Sequence, residues 1–329
     1  MSTSVAVGRC TLRVAAAVVI LWGCGGPDET NRPQSSGQAL SKGTLDTADT
    51  FVGAVLVPNL AHLVFTGGNG DALCSGSLVS PRVFLTAGHC TALFAAYGIS
   101  PSQMSVSLAP NVFSDPSPLQ VASYNTAPGF QVTGGDKPDI NDLGVVVLAH
   151  PVNNVPVAKL PPIGYLADFL NSDLTVVGYG VDANFFLSGN RMETTMRAYE
   201  LADTTVKLSP DPGSFCLMDS GGPSLSQDEN RFIVSTHSSG NGNTSSCGST
   251  GYDTRLDVEW AQNYIRAQIA VNPATALQES RSATANGSCD TTINPCCCDS
   301  AGHTLLKKSD PGYFSCSLTC GAVKPKYPF

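Results

Sequence analysis

The chain has 329 residues, enough for one large all-β domain or two ordinary domains, and its hydrophobic content of 42% is that of a globular protein. With 32 glycines, 22 prolines and only 13% charged residues, the composition favours a β-rich chain with many turns and few long helices. The net charge of -8 is spread along the chain without a basic block, which argues against nucleic acid or an anionic membrane surface as a partner.

The N-terminus, residues 1–23, has the pattern of an export signal. Two arginines supply positive charge, and the apolar run at residues 14–22 is shorter than the ~20 residues that a membrane-spanning helix needs. The run ends in Leu21-Trp22-Gly23-Cys24, which is similar to the bacterial lipobox, in which the cysteine becomes the lipidated first residue. Cys24 is therefore the predicted lipidation site, and an ordinary secretory signal with an incidental cysteine is the alternative. Under both interpretations the chain is exported, either to the bacterial cell envelope as a lipid-anchored protein or as a secreted protein. A lipid at Cys24 would tether the chain to a membrane without spanning it.

A polar stretch rich in Gly, Pro, Ser and Asp follows at residues 24–45 and predicts a flexible linker. The next domain, residues 46–270, is predicted to consist of short β-branched strands between Pro, Gly, Asn and Asp turns, as in a barrel or a sandwich. Apolar residues recur at helical spacing from Val258 to Ile269, which predicts a closing helix. The predicted strands are Phe51–Val57, Ala61–Phe65, Cys74–Phe84, Val145–Leu148, Leu174–Val177, Thr204–Leu208 and Phe232–Ser235.

Three short motifs in this domain contain the residue types of nucleophilic catalysis. Ser220 lies in Asp219-Ser220-Gly221-Gly222-Pro223, a turn whose small residues let a substrate approach one hydroxyl. A serine needs a base, and His89, in Leu85-Thr86-Ala87-Gly88-His89-Cys90, has an imidazole that can accept a proton at neutral pH. Asp142, in Asn141-Asp142-Leu143-Gly144, is an acid that can orient such a base. Taken alone, the serine motif is equally consistent with an ordinary turn, because Asp, Ser and Gly are common turn formers.

In this order the three motifs resemble those of the trypsin/chymotrypsin-like serine peptidases, which read TA[AG]HC, an acidic residue before a D-I/L-A-L-L-like strand, and GDSGGP. The resemblance covers about residues 46–270, and Val177–Gly180 and Gly251–Leu256 are similar to further segments of the family. It implies an all-β fold of two antiparallel six-stranded β-barrels with a C-terminal helix and the triad in the cleft between the barrels.

The resemblance also implies a serine endopeptidase that forms an acyl-enzyme intermediate on proteins or peptides and uses no metal or other cofactor. His89 would accept the proton of Ser220 and pass it to the leaving amine, while Asp142 holds the imidazole in the right tautomer. The backbone N–H groups of Met218 and Ser220 would stabilise the oxyanion. The alternative is a catalytically weak or inactive relative that binds proteins at the cell surface.

The sequence departs from the family pattern at one residue and in one missing segment. Met218 replaces the usual glycine two residues before the serine, and its side chain is expected to strain the turn and weaken the oxyanion site. In zymogen-forming relatives the residue at Asp219 pairs with a new N-terminus cut before an Ile-Val-Gly-Gly-like start, and no such start precedes Phe51. Either Asp219 is satisfied locally and the domain is active without cleavage, or a site such as one near Ala39-Leu40 is used.

The predicted substrate pocket consists of Ser214, Phe215, His237 and Gly251. Ser214, six residues before the nucleophile, occupies the base of the P1 pocket in the family, so the carboxylate expected for Arg or Lys preference is missing. Phe215 is expected to narrow the pocket. His237 is reminiscent of glutamate-preferring members, and a hydrogen-bonded wall residue is the simpler interpretation.

Twelve cysteines, less one in the signal and Cys24, leave ten, an even number suited to disulfides in an oxidising compartment. The family resemblance implies that Cys74 pairs with Cys90, and Cys216 is expected to pair with Cys247. The other six lie in residues 286–329, predicted to be a disulfide-stapled module behind a linker at 271–285. Zinc bound by Cys296-Cys297-Cys298 and His303 is the alternative.

Overall fold

The computed structural model describes residues 40, 42–58, 72–133, 137–182, 186–241, 247 and 250–274. The predicted signal, Cys24, the predicted strand Ala61–Phe65 and the cysteine-rich module lie outside the described residues. Within the described ranges, the helices are too short or too polar to cross a membrane.

Six strands form a closed antiparallel barrel in the first half of the domain, in the order β2-β3-β4-β7-β6-β5. Helix α1 (Gly88–Ala96) follows β4. The strands are β2 (Val52–Leu56), β3 (Ala72–Ser80), β4 (Val83–Thr86), β5 (Ser105–Ser107), β6 (Leu119–Thr126) and β7 (Gly144–Leu148). Every residue of β2, β4 and β7 is buried, as expected for apolar runs that line a barrel.

Six further strands close into a second antiparallel barrel, because β8 pairs with β9 and completes the order β9-β10-β13-β12-β11-β8. Helix α2 (Glu259–Val271) follows β13. The strands are β8 (Asp173–Gly178), β9 (Met192–Leu201), β10 (Thr205–Pro212), β11 (Pro223–Leu225), β12 (Ile233–Asn241) and β13 (Thr250–Arg255). The expected fold of two six-stranded barrels with a C-terminal helix is confirmed.

The predicted strand Cys74–Phe84 is two strands in the structure. β3 ends at Ser80 and β4 begins at Val83, and the Ser80 hydroxyl accepts the Val83 N–H at 3.1 Å. The reversal occurs at Pro81, which has no N–H to donate to a strand ladder.

The end of the predicted linker, residues 24–45, belongs to the domain. Leu40 is fully buried in the core of the second barrel. A short strand, β1 (Thr44–Leu45), pairs antiparallel with β9. The predicted linker therefore extends too far at its C-terminal end. A single leucine in a polar stretch gives no periodic signal in the sequence, although its burial stabilises the packing of this segment on the second barrel.

An apolar cluster joins the two barrels and helix α2. Burial of these side chains holds the two barrels and the helix together. Its members include Val52, Leu85, Leu143, Val177, Tyr179, Leu225, Leu256, Ala261 and Ile265.

Candidate active site

His89 is the second residue of α1 and is fixed by Asp142 at two points. Its ring nitrogen Nδ1 lies 2.8 Å from Asp142 Oδ2, and its backbone N–H donates to Asp142 Oδ1 at 2.6 Å. A Cβ on Gly88 would come within 2.8 Å of the Leu143 carbonyl oxygen, so only glycine allows this approach. The sequence motif thus brings the imidazole and the carboxylate together.

Asp142 is fully buried and is held by the second barrel. The Ser238 hydroxyl donates to Asp142 Oδ2 at 2.6 Å, and the Thr254 hydroxyl donates to the Asp142 carbonyl oxygen at 3.2 Å. Sequence analysis missed Ser238 and Thr254, because contacts over 96 and 112 residues leave no local pattern.

The two charges stabilise each other. Burial lowers the pKa of His89, but the Asp142 carboxylate and its hydrogen bond outweigh burial, so the pKa of His89 is raised. Burial raises the pKa of Asp142, but the His89 charge and the hydrogen bonds from His89 and Ser238 outweigh it, so the pKa of Asp142 is lowered. The His89 side chain keeps 27% of its surface exposed, so it remains accessible to solvent.

Asp139 is a second carboxylate beside the imidazole, and sequence analysis missed it although it lies three residues before Asp142. One carboxylate oxygen of each aspartate and one ring nitrogen of His89 lie within 4.8 Å of one another. Asp139 Oδ1 accepts the Thr133 N–H at 2.9 Å. Burial raises the pKa of Asp139, and its charge adds to the raised pKa of His89.

The described part of the chain contains three groups of side chains of the types that bind metals. In each group, at least one of these side chains is already bonded to another protein group. In the trio just described, Asp142 is bonded to His89. The second contains the disulfide sulfurs of Cys74 and Cys90. In the third, two aspartates are ion-paired with arginines; its members are Asp46, Asp49 and Glu193, and the arginines are Arg191 and Arg231.

The turn that carries Ser220 lies against the segment before His89. A Cβ on Gly221, which has φ of +85°, would come within 2.1 Å of Thr86 Oγ1 and 2.7 Å of the Ala87 nitrogen, so glycine is required there. The Ser75 N–H donates to the Ser220 carbonyl oxygen at 2.9 Å. The Ser220 hydroxyl makes no hydrogen bond with any described residue. Of the two contacts expected of the His89 ring, the structure therefore contains the one with Asp142 and not the one with Ser220.

The backbone N–H groups of Met218 and Ser220 have no acceptor among the described residues, and neither has that of Leu217. The Leu217 carbonyl accepts the Val181 N–H at 2.9 Å. In a trans peptide the N–H points opposite to the C=O, so the Met218 N–H points away from Val181. Met218 has φ of 73°, a left-handed conformation that is unfavourable for a residue with a Cβ, as expected where a glycine is replaced.

Asp219 is fully buried and is satisfied by backbone groups. Its Oδ1 accepts the Gly180 N–H at 2.7 Å and its Oδ2 accepts the Cys216 N–H at 2.8 Å. A Cβ on Gly178 would come within 2.1 Å of Oδ1, so a glycine makes room for the carboxylate. Burial raises the pKa of Asp219 to about 6, although both backbone donors lower it.

The predicted pocket residues lie together in the second barrel. The Phe215 ring stacks on the His237 ring with centroids 4.9 Å apart. A Cβ on Gly251 would come within 2.2 Å of Phe215 Cε1, so the phenyl ring fills the space above this glycine. Ser214, next to Phe215 in the chain, is fully buried.

His237 is fully buried, and Asp253 holds its ring on one side. Its Nδ1 lies 3.1 Å from both carboxylate oxygens of Asp253. Asp253 also accepts the hydroxyls of Ser224 at 2.7 Å and Ser235 at 2.8 Å. The other ring nitrogen, Nε2, has no hydrogen-bond partner among the described residues.

The described part of the chain contains two disulfides, Cys74–Cys90 and Cys216–Cys247. The first links β3 to α1 next to His89, and the second fixes the segment before the Ser220 turn. Both pairs are those expected from the sequence.

Comparison with protein families gives one informative result. The family model described as Trypsin matches residues 54–261, which is more than half of the chain. Among curated protein sequences none matches this chain.

Proposed function

The chain belongs to the trypsin family, and from this premise we propose that it is an exported serine endopeptidase with Ser220 as nucleophile, His89 as base and Asp142 as orienting acid. The observation that carries the proposal is the imidazole of His89 held at 2.8 Å by a buried carboxylate, next to the turn with an unengaged serine hydroxyl.

In the proposed reaction the Ser220 oxygen attacks the carbonyl carbon of a peptide bond while His89 Nε2 accepts the hydroxyl proton. Asp142 holds Nδ1 and stabilises the imidazolium. The C–N bond then breaks as His89 passes the proton to the leaving amine, and an acyl-enzyme ester remains on Ser220. A water molecule, deprotonated by the same imidazole, hydrolyses this ester and releases the acid product.

The oxyanion of each tetrahedral intermediate would be stabilised by the backbone N–H groups of Met218 and Ser220. These two donors have no acceptor among the described residues, which supports the assignment. Fixed donors of this kind are typically the largest single contribution in acyl transfer, and losing one costs ~10²–10³ in rate.

We assign Ser214, Phe215, His237 and Gly251 to the pocket for the residue before the cleaved bond. The pocket base lacks a carboxylate, which disfavours an Arg or Lys side chain, and the Phe215 ring against Gly251 restricts its depth.

We further propose that the domain is active without cleavage at an N-terminus. Two backbone N–H groups already satisfy the Asp219 carboxylate. Leu40, at the alternative cleavage site, is fully buried. Ion pairs anchor the segment between Leu40 and β2, since Asp46 binds Arg191 and Asp49 binds Arg231.

The compartment proposed from the sequence is outside the cytoplasm, and two disulfides agree with oxidising surroundings. The export signal at 1–23, lipidation at Cys24 and a disulfide-stapled module at 286–329 remain proposals. Lipid analysis of the mature protein and of a Cys24→Ala variant would test the anchor.

The test of the proposed function is cleavage of a proteome-derived peptide library by the exported full chain, with new N-termini identified by mass spectrometry. We expect internal cleavages with the parent chain and none with Ser220→Ala. Exposed Ser102, changed to alanine, is the matched control and should leave cleavage unchanged. Absence of cleavage in the parent would contradict the proposal and favour the alternative, a protein-binding relative without activity.

A further inference from the structure

Ser75, a fully buried residue of β3, contacts the Ser220 turn at two points and Tyr179 at a third. Its backbone N–H donates to the Ser220 carbonyl oxygen at 2.9 Å. Its hydroxyl donates to the Met218 carbonyl oxygen at 3.1 Å and accepts the Tyr179 backbone N–H at 3.0 Å. One residue of the first barrel thus holds a turn of the second barrel.

The direction of the Ser75 hydroxyl is fixed by its partners. A hydroxyl has a single proton and two acceptor lone pairs. Because the Tyr179 N–H uses a lone pair, the proton is directed to the remaining partner, the Met218 carbonyl oxygen. The hydrogen bond to Met218 is therefore built into the surroundings of Ser75.

Met218 needs such support because its φ of 73° is unfavourable for a residue with a side chain. Rotation of the two peptide planes that flank Met218 would relieve this strain and turn its N–H away from the cleft. Each plane is held by its carbonyl: the Leu217 carbonyl by the Val181 N–H at 2.9 Å, and the Met218 carbonyl by the Ser75 hydroxyl at 3.1 Å.

We propose that Ser75 is a positioning residue for the oxyanion donors: its hydroxyl holds the Met218–Asp219 peptide, so that Met218 keeps the left-handed conformation that aims its N–H at the substrate oxygen. The inference rests on the proposed peptidase activity. It explains how a methionine is accommodated where the family usually has glycine.

The test measures the second-order rate constant for modification of Ser220 by a fluorophosphonate probe in the full chain. In this reaction the serine oxygen displaces fluoride from phosphorus, His89 accepts the hydroxyl proton, and the phosphoryl oxygen takes the place of the oxyanion. We expect Ser75→Ala to lower the rate about tenfold, which corresponds to the free energy of one neutral hydrogen bond.

Ser77→Ala is the matched control, because Ser77 lies on the same strand and its buried hydroxyl has no partner in the described part of the chain. It should stay within about twofold of the parent.

A second background separates positioning from a general loss of structure. In Met218→Gly the left-handed conformation needs no support, so Ser75→Ala should then cost less than about twofold. Ser75→Cys, which keeps the shape with a weaker donor, serves if the alanine variant does not fold, and its loss should be smaller but show the same dependence on Met218.

Equal rates for Ser75→Ala and Ser77→Ala in a parent that reacts would overturn this inference alone. An equal loss from Ser75→Ala in the parent and in the Met218→Gly background would assign Ser75 a purely structural role and would also overturn it. A parent chain that does not react with the probe would overturn the proposed function, and this inference with it.

Discussion

His89 faces two carboxylates with different roles. Asp142 is buried and binds Nδ1 directly, whereas Asp139 is half-buried and acts on the imidazole through its charge. Both raise the pKa of His89 against the effect of burial. Because the base must be neutral to accept a proton, activity should fall as pH decreases through this raised pKa.

Removal of the Asp139 charge should therefore extend activity to lower pH. We expect Asp139→Asn to move the acid limb of the pH–rate profile for fluorophosphonate labelling to lower pH, with the rate at about pH 9 little changed. Asp203→Asn, at an exposed carboxylate between β9 and β10, should leave the limb in place. An unchanged limb in Asp139→Asn would show that Asp139 does not influence the base.

Asp219 should make stability depend on pH in the opposite sense to an ordinary salt-bridged aspartate. Its pKa is raised to about 6 in the folded chain, and unfolding returns it to about 3.9. Between these values the folded chain keeps a proton that the unfolded chain releases, so the contribution to stability is present below about pH 4 and is lost as pH rises to about 6.

We expect Asp219→Asn to lack this dependence. The advantage of the parent over the variant in free energy of unfolding should shrink by about 3 kcal/mol between about pH 4 and pH 7. Urea unfolding at a series of pH values across this range measures it. A difference that is constant with pH, or that grows as pH rises, would contradict the raised pKa.

At the scale of elements, strands β11, β12 and β13 meet at one buried polar network. Asp253 on β13 accepts hydrogen bonds from Ser224 on β11 and Ser235 on β12, and it braces His237. All four side chains are fully buried. Buried polar groups are stable only while they are paired, so this network fixes the register of three strands.

Asp253→Ala should unpair these groups at once and lower the free energy of unfolding by about 3–5 kcal/mol. Asp253→Asn, which keeps an acceptor, should cost less. Asp203→Ala, on the surface, should stay within about 0.5 kcal/mol of the parent. Urea unfolding at neutral pH compares the three, and a loss below about 1 kcal/mol in Asp253→Ala would contradict the role of the network.

The apolar strands and the motif residues were predictable because their signals are local, whereas β5, β6 and β9, which have no continuous apolar run, were not predicted. Val145–Leu148 is a continuous apolar run and became β7, and His89, Asp142 and Ser220 each lie in a short motif. The residues that hold this site were not predictable. Ser75 reaches Met218 over 143 residues and Ser238 reaches Asp142 over 96, and a serine in a strand gives no sign of its distant partner.

Arg191 connects the two barrels and the N-terminal segment at the scale of the whole molecule. Its side chain is 1% exposed. It donates to Asp46 Oδ2 at 2.9 Å and to the carbonyl oxygens of Val52 at 3.2 Å and Leu108 at 3.3 Å. Tyr179, whose pKa burial raises to about 12, donates to the Ala109 carbonyl oxygen at 2.8 Å. These bonds connect the second barrel to the first barrel and to the N-terminal segment.

We expect Arg191→Met to lower the free energy of unfolding by about 3–5 kcal/mol, because the buried Asp46 carboxylate loses its cation. Adding Asp46→Asn should recover part of the loss, since the amide oxygen still accepts backbone N–H groups without a buried charge. The control is Arg197→Met, at an ion pair with Asp173 whose arginine is 54% exposed, which should cost less than about 1 kcal/mol. Equal losses at the two arginines would contradict this role of Arg191.

The activated serine can be tested directly by peptide mass spectrometry of the full chain after reaction with a fluorophosphonate probe. We expect one adduct, on Ser220, formed at a rate that falls by at least about 10² in His89→Ala. An adduct on another residue, no adduct, or an equal rate in His89→Ala would contradict the assignment of Ser220 and His89 as nucleophile and base.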